Sequence, residues 1–322
     1  MSTGPRSLSR RLTRPLRALS RSGPEPRAGG QAPAEPSAGG HDTWLEHFHD
    51  DRLAPIDAAC AAGGPDRFAL FSELDIDLWA LLLTKDYSAY PNIHALLPTV
   101  PHPTLQERWN GTSGVPLANQ SAAFYRRLRD RYAEVGERPL ADSRVLDFGC
   151  GWGRLTRFLA RDVPLSRLYG CDPVESILAV CRDSGVPATL ARSDLVPDRL
   201  PFDELFDLAF AFSVFTHLSE PAHERCLAAL HAGLRPGAIL VVTIRPPAYM
   251  PVDGGLDVPR YVFAPHAADP SHPQYAGGEM TYGETVITLP YVRERWSRWF
   301  ELLHSDLLIG DLHQVVLTLR RV

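Results

Sequence analysis

Apolar residues recur at three- and four-residue spacing from about Thr43, where Trp44, Leu45, Phe48, Leu53 and Ile56 fall on one side of a helix. Gly63, Gly64 and Pro65 interrupt the pattern. A second helical segment, Phe68 to Leu83, then carries Leu70, Phe71, Leu74, Leu78, Trp79 and Leu82. Prolines 98, 101 and 103 favour an extended path into a Gly/Ser/Thr-rich turn bearing Arg108, Trp109 and Asn110. A helix over about Ser121 to Ala133 follows, with Phe124, Tyr125 and Leu128 on one face. Beyond it the period shortens. Apolar runs at Val145–Phe148, Leu168–Asp172, Ala188–Arg192, Phe206–Phe212 and Ala238–Ile244 read as buried strands, with helices at Val174–Asp183 and Ala222–Leu234 among them. Strands alternating with helices predict a largely parallel sheet covered on both faces. A helix over Val292 to Phe300 and two strands, Phe300–Leu308 and Gln314–Leu319, end the pattern.

The first 40 residues stand apart. They hold Arg6, Arg10, Arg11, Arg14, Arg17, Arg21 and Arg27 ahead of a Pro-, Gly-, Ala- and Ser-rich run that has too few apolar residues for a core. Leu8, Leu12, Leu16 and Leu19 could line a helix of the kind found in transit peptides, but Pro15 breaks it, and a flexible tail is expected. Three parts result: a tail over 1–40, a helical cap and linker over 41–120, and an α/β domain over 121–322.

Composition removes several classes of function. The formal charge of −5 and the lack of a basic stripe in the folded region give no attraction to nucleic acid or to an anionic membrane. No apolar run reaches spanning length, so no membrane partner is expected. Cys60, Cys150, Cys171, Cys181 and Cys226 include no C-x-x-C pair. With no signal peptide to be read, an odd number of thiols fits a cytoplasmic protein. Cys150 and Cys171, at the ends of neighbouring strands, would lie close to a ligand of the loop between them or be no more than small buried residues. His266 and His272 could suggest a metal, but no carboxylate cluster near them in sequence completes a site, so no metal is expected.

The chemistry concentrates at Asp147-Phe148-Gly149-Cys150-Gly151-Trp152-Gly153-Arg154, a strand that ends in a glycine loop and opens a helix. Bare backbone there lets a ligand approach closely. The loop departs from the dinucleotide pattern G-x-G-x-x-G in two ways. Its third glycine comes one position early, which puts Arg154 where a small residue belongs. An acid also precedes the first glycine. Asp147 would repel a pyrophosphate but could hold an ammonium group, so a cationic ligand is suggested.

Asp-x-Gly-x-Gly-x-Gly at the end of a first strand resembles the cofactor loop of class I S-adenosylmethionine-dependent methyltransferases. Later elements match in order: Leu200-Pro201-Phe202, then Phe206-Asp207, an apolar strand, Ser213-Val214-Phe215-Thr216-His217-Leu218, and the turn Leu234-Arg235-Pro236-Gly237. The resemblance is firm over about 143–245 and softer over 290–320. It implies a doubly wound, seven-stranded Rossmann-like sheet closed by a C-terminal antiparallel hairpin, with S-adenosyl-L-methionine as cofactor. Asp147, Gly149, Cys150, Gly151 and Gly153 would then flank the methionine moiety, and Asp172 with Pro173 the ribose. Ser193, Asp194 and Leu195 would flank the adenine, and Phe212 with Ser213 the transferable methyl group.

Several of these residues have a second reading. Asp172 at a second strand tip would serve NAD equally, or could cap the next helix. Asp194 could be an ordinary loop aspartate. His217 is the candidate base nearest the transfer point, but it could instead hold the loop that opens the following helix. The Arg108–Asn110 turn could close over the cofactor or be a linker anchored by Trp109. The long segment from Arg245 to Pro290, with Tyr249, Tyr261, Phe263, Tyr275 and Tyr282, could line an acceptor pocket or pack over the sheet edge. Arg245-Pro246-Pro247-Ala248-Tyr249 only superficially resembles the Asn/Asp-Pro-Pro-Tyr motif of nucleic-acid amino-methylating enzymes: it follows the fifth strand rather than the fourth and lacks the amide or acid. The expected function is methyl transfer to a small-molecule or sugar-containing acceptor. The alternatives are a scaffold that keeps the cofactor fold without chemistry and, less favoured, an NAD(P)-dependent oxidoreductase.

Overall fold

The computed structural model describes residues 42–322 apart from 65, 251, 253–254 and 268–273. The tail, the proline of the Gly63-Gly64-Pro65 break and His272 lie outside the described residues. Those described belong to a compact unit over Ala38–Val322.

The central strands are β1 (Val145–Phe148), β2 (Leu168–Asp172), β3 (Thr189–Arg192), β4 (Phe206–Ala211) and β5 (Leu234–Ile244). Their side chains alternate between two cores, as the two-residue period of a strand requires. Val145, Leu168, Leu208, Phe210, Ile239 and Val241 enter one core, while Leu146, Tyr169, Cys171, Ala209, Ala211, Leu240 and Val242 enter the other. Both faces are therefore apolar, which explains why the strands read as continuous hydrophobic runs.

The first core is closed by α1 (Asp42–Ala62), α2 (Ile76–Thr84), α3 (Pro91–Leu96) and α5 (Gly114–Val135), while α4 (Pro103–Asn110) packs through Leu105 and Trp109 on a separate cluster with Leu117, Trp152, Val174 and Ile177. Leu45, Phe71, Trp79, Leu82 and Tyr125 share one cluster with Phe158 of the short α6 (Thr156–Leu159) and with the sheet. Trp79 Nε1 donates to the Phe158 carbonyl at 3.2 Å, and Arg161 Nη2 donates to the Ser72 and Leu74 carbonyls at 2.8 Å each. Beyond α7 (Glu175–Asp183), α8 (Glu220–Gly233) covers the second core, joined by Tyr291 and Trp296.

After β5 the chain forms two small antiparallel pairs, β6 (Tyr261–Pro265) with β9 (Gly283–Ile287) and β7 (Tyr275–Ala276) with β8 (Glu279–Met280). It then makes β10 (Phe300–Leu308) and β11 (Asp311–Arg321). The seven-stranded sheet runs β10-β11-β5-β4-β1-β2-β3, with β1 to β5 mutually parallel and β11 antiparallel to both neighbours. This is the Rossmann-like sheet with its closing hairpin.

Several elements differ from the sequence reading. Arg108, Trp109 and Asn110, read as a turn, lie in α4, where Pro103 opens the helix with a fixed φ and no N–H to lose. The segment Phe68–Leu83 is split into a tight turn, Arg67–Phe71, and α2. α5 starts at Gly114 rather than about Ser121, because Pro116 sits in its first turn, where a missing N–H costs nothing. The expected helix over Val292–Phe300 is instead a short turn, Leu289–Tyr291, running into a π-turn, Val292–Trp296. Arg235, Pro236, Gly237 and Ala238 lie within β5 but out of register, since Phe206 pairs with Leu234 and Leu208 with Ile239.

Candidate active site

The carboxyl ends of β1 to β4 open on a cavity of about 470 Å³. Of the thirteen residues singled out in the sequence, twelve line it: Asp147, Gly149, Cys150 and Gly151; Asp172 and Pro173; Ser193, Asp194 and Leu195; Phe212, Ser213 and His217. Gly153 is not part of the wall. A Cβ there would lie 2.7 Å from Cys181 Sγ and 2.8 Å from Val186 Cγ2, so its bare backbone lets the loop pack against the segment of α7. Gly149, at φ +78°, is pressed on the opposite side, where a Cβ would come 2.4 Å from Val214 Cγ2. Gly151 has open space beside its Cα.

Asp147 shares the face of Val145 and ends up buried at the head of the cavity, with Thr156 Oγ1 donating to its Oδ2 at 2.6 Å. Burial pushes its carboxyl up to about 7; the Thr156 hydroxyl and nearby Arg154 pull the other way, and Asp172 adds to the rise. Asp172 is also pushed up, to about 6, by burial. Its Oδ2 accepts the Gly151 N–H and its Oδ1 the Val174 N–H, both at 2.9 Å. Asp172 thus holds the glycine loop. It does not cap α7, whose N-cap residue is Val174. Ser193 N–H donates to the Asp172 carbonyl at 3.2 Å, and Asp194 beside it is exposed.

The exit from β4 is tightly held. Ser213 adopts φ +59°, a left-handed conformation costly for a residue with a Cβ. Its N–H donates to Thr243 Oγ1 at 2.7 Å, and its Oγ receives Gln314 Nε2 at 3.1 Å. Gln314 Oε1 is buried without a hydrogen-bond partner. Phe212 meets Phe124 edge-on at 4.8 Å and lies beneath the Arg154 guanidinium, also at 4.8 Å. Arg154 Nη1 donates to Gln120 Oε1 at 2.8 Å and to Ser121 Oγ at 2.9 Å, and burial lowers its pKa to about 10.

His217 stacks on Tyr282, with ring centroids 5.0 Å apart and planes 15° from parallel. Its Nδ1 lies 2.8 Å from the Gly283 carbonyl, which can only accept a hydrogen bond, so the neutral ring carries its hydrogen on Nδ1. Burial lowers its pKa to about 4, with Glu284 opposing and Arg245 assisting. Arg245 lies over the Tyr249 ring at 3.9 Å and pairs with Glu284 Oε2 at 2.6 Å.

Trp109 and Asn110 reach the wall, and Asn110 Oδ1 accepts from Trp152 Nε1 at 2.9 Å, joining the end of α4 to the glycine loop. Cys171 does not line the cavity. Sequence reasoning missed Gln120, Asp311, His313 and Gln314, which come from α5 and the closing hairpin, and gave no binding role to Arg154 or Arg245; of the aromatics it named in the long segment after β5, Tyr282 lines the wall.

Residues 145–237, from β1 to the turn within β5, match the family described as "Methyltransferase domain". That stretch of the chain is similar to a methyltransferase domain. Two relatives are similar to it: the trans-aconitate 2-methyltransferase of Variovorax paradoxus (strain S110), 32% identical over 132 residues, and that of Deinococcus radiodurans, 34% identical over 116 residues. The matched stretches cover 39% and 36% of this chain and 50% and 42% of those relatives, so the chain spans about half their length or less. Among solved structures, an S-adenosylmethionine dependent methyltransferase from Mesorhizobium loti matches 62% of this chain and 98% of its own, at 23% identity and a TM-score of 0.43. No described helix is long and apolar enough to cross a membrane.

Proposed function

We propose that this chain transfers a methyl group from S-adenosylmethionine to a small-molecule acceptor. The observation that carries the proposal is Asp147, a buried carboxyl at the head of the cavity beside a bare glycine loop, whose burial outweighs the pull of Thr156 and Arg154 and raises its pKa. An ammonium group placed there would restore its ionised form.

The same residues fit the rest of the cofactor. Each Asp172 oxygen spends one lone pair on a backbone N–H, leaving a second for a ribose hydroxyl. Ser193, Asp194 and Leu195 form the outer wall where an adenine edge would lie. When bound, the cofactor supplies an electrophilic sulfonium methyl, so the chain has only to align the acceptor and receive its proton. Phe212 and Ser213 would flank the transfer point. His217, neutral and with its Nδ1 proton committed to Gly283, could accept from an acceptor hydroxyl or amine only at Nε2, where it would displace a long contact from Arg245 Nη2 at 3.5 Å. Gln314 Oε1 is a second acceptor without a partner.

The acceptor follows from size and charge. A cavity of about 470 Å³ shared with a cofactor leaves room for a small molecule, within the ordinary range of ligand pockets. Arg154 and Arg245 in its wall favour an anionic or polyhydroxylated acceptor, and the relatives are named for trans-aconitate. The five cysteines, all free and buried, support a reducing, cytoplasmic setting. The test is a panel of small carboxylates, trans-aconitate included, and amino or hydroxylated sugars, each incubated with methyl-labelled S-adenosylmethionine. Label transferred to one class with matching release of S-adenosylhomocysteine is expected; cofactor binding without transfer to any would favour a scaffold.

A further inference from the structure

We propose that His217, His266 and Glu284 form a binding site for a divalent transition-metal ion, which ties the β6–β9 hairpin to the exit loop of β4. The three residues come from separate places in the chain. His217 follows β4, His266 is the residue after β6, and Glu284 lies in β9 opposite Ala264. Glu284 Oε1 faces both histidines, 2.9 Å from His266 Nε2 and 3.7 Å from His217 Nδ1, and the three donor atoms lie within 4.8 Å of one another. Donors at about 2.1 Å around a tetrahedral zinc would stand about 3.4 Å apart. The observed separations bracket that value, so small side-chain rotations would complete the set.

The surroundings are those of a metal site. Glu284 presents one oxygen to the histidines, and the other makes an ion pair with Arg245 Nε at 2.6 Å, a close charge contact behind the carboxylate of the kind that supports a metal ligand. Tyr282 stacks flat on His217 and meets His266 edge-on at 5.3 Å, holding both rings. The side chains are only partly covered, at 16%, 37% and 22% exposed for His217, His266 and Glu284, so an ion can enter from solvent. Two imidazoles and one carboxylate select zinc, nickel or cobalt over magnesium or calcium. The sequence argument against a metal rested on His266 and His272 lacking a carboxylate. The fold supplies Glu284, and the second histidine is His217.

Binding would change the cavity. Ligation through Nδ1 would move the His217 proton to Nε2, so the ring's remaining nitrogen would turn from hydrogen-bond acceptor to donor and the Arg245 Nη2 contact to it, now 3.5 Å, would open. The Gly283 carbonyl is released at the same time. An occupied site therefore withdraws the partner that His217 offers an incoming hydroxyl or amine, and metal loading would restrain the reaction. The metal site itself does not depend on the methyl-transfer reading, since neither His266 nor Glu284 lines the cavity.

The experiment is titration of the untagged, chelator-treated full chain with zinc alone by calorimetry, and with cobalt alone by visible absorption. One zinc per chain at micromolar affinity or better is expected, with a cobalt d–d band that zinc displaces. His266→Ala, at a half-exposed position, should keep the fold by circular dichroism and weaken zinc binding at least tenfold, and Glu284→Gln should do the same while preserving shape. No saturable binding by the wild-type chain, or binding unchanged in His266→Ala, would overturn the site whatever the outcome of the methyl-transfer assays.

Discussion

Asp172 Oδ2 accepts the backbone N–H of Gly151 at 2.9 Å, so the tip of β2 holds the glycine loop of β1 in place. One carboxylate therefore shapes the loop and faces the cavity where a ribose would lie. Asp172→Ala should lower affinity for S-adenosylmethionine by roughly 100-fold or more, the loss of two or more hydrogen bonds to a charged group. Circular dichroism should show an intact fold. Unchanged affinity in calorimetry would remove Asp172 from the site.

Gly153 makes the contrasting prediction, because it supports the loop from outside the cavity. In Gly153→Ala a new Cβ at φ +78° would press on Cys181 and Val186. The cost should be about 2 kcal/mol of stability, from strain and overpacking together. Denaturant melts measure it directly, and a variant as stable as the wild type would contradict the packing.

Asp147 should make the ligand-free protein less stable as pH rises. Its carboxyl titrates near 3.8 when unfolded and near 7 when folded, so the folded state holds the extra proton. The stabilising contribution is full below about pH 4 and is lost as the pH climbs through about 7. Asp147→Asn removes that dependence while keeping an oxygen for Thr156, and should be more stable than wild type at pH 8 by on the order of a few kcal/mol. Cofactor affinity of the wild type should rise over the same window, since an ammonium group favours the ionised acid. Parallel pH profiles for the two proteins would refute this.

His217 separates positioning from proton transfer. Its pKa is depressed from 6.5 to about 4, so its stabilising contribution is present above about pH 6.5 and lost as pH falls toward 4. No ionisation of this ring should shape kcat/KM between pH 6 and 8. His217→Ala should lower kcat roughly tenfold, the worth of one hydrogen bond, with S-adenosylmethionine affinity unchanged. A fall of several hundredfold together with a lost pH limb near 6.5 would instead make it the general base.

The elements whose meaning is local were legible in the sequence. Asp147, the alternating glycines and Asp172 lie at strand ends that hydrophobic runs mark clearly, and twelve of the thirteen selected residues meet at one cavity. What escaped depends on pairing between distant segments. Gln314 reaches Ser213 only because β11 lies against β5, and Glu284 reaches His217 only because β9 folds back under it. No spacing along the chain encodes either approach. Gly153 was misplaced for a different reason: a glycine needed for ligand approach and one needed for helix packing leave the same mark. The start of α5 was read late because Gly114 and Pro116 look like turn residues, although a first turn tolerates both.

Calorimetric titration of the purified chain with S-adenosylmethionine, S-adenosylhomocysteine and NAD in parallel tests the cofactor assignment most directly. Micromolar binding of the first two and none of NAD is predicted, with Asp172→Ala abolishing most of it. Binding of NAD alone would contradict the role given to Asp147, and binding of none of the three would leave the cavity without the cofactor its glycine loop was taken to hold.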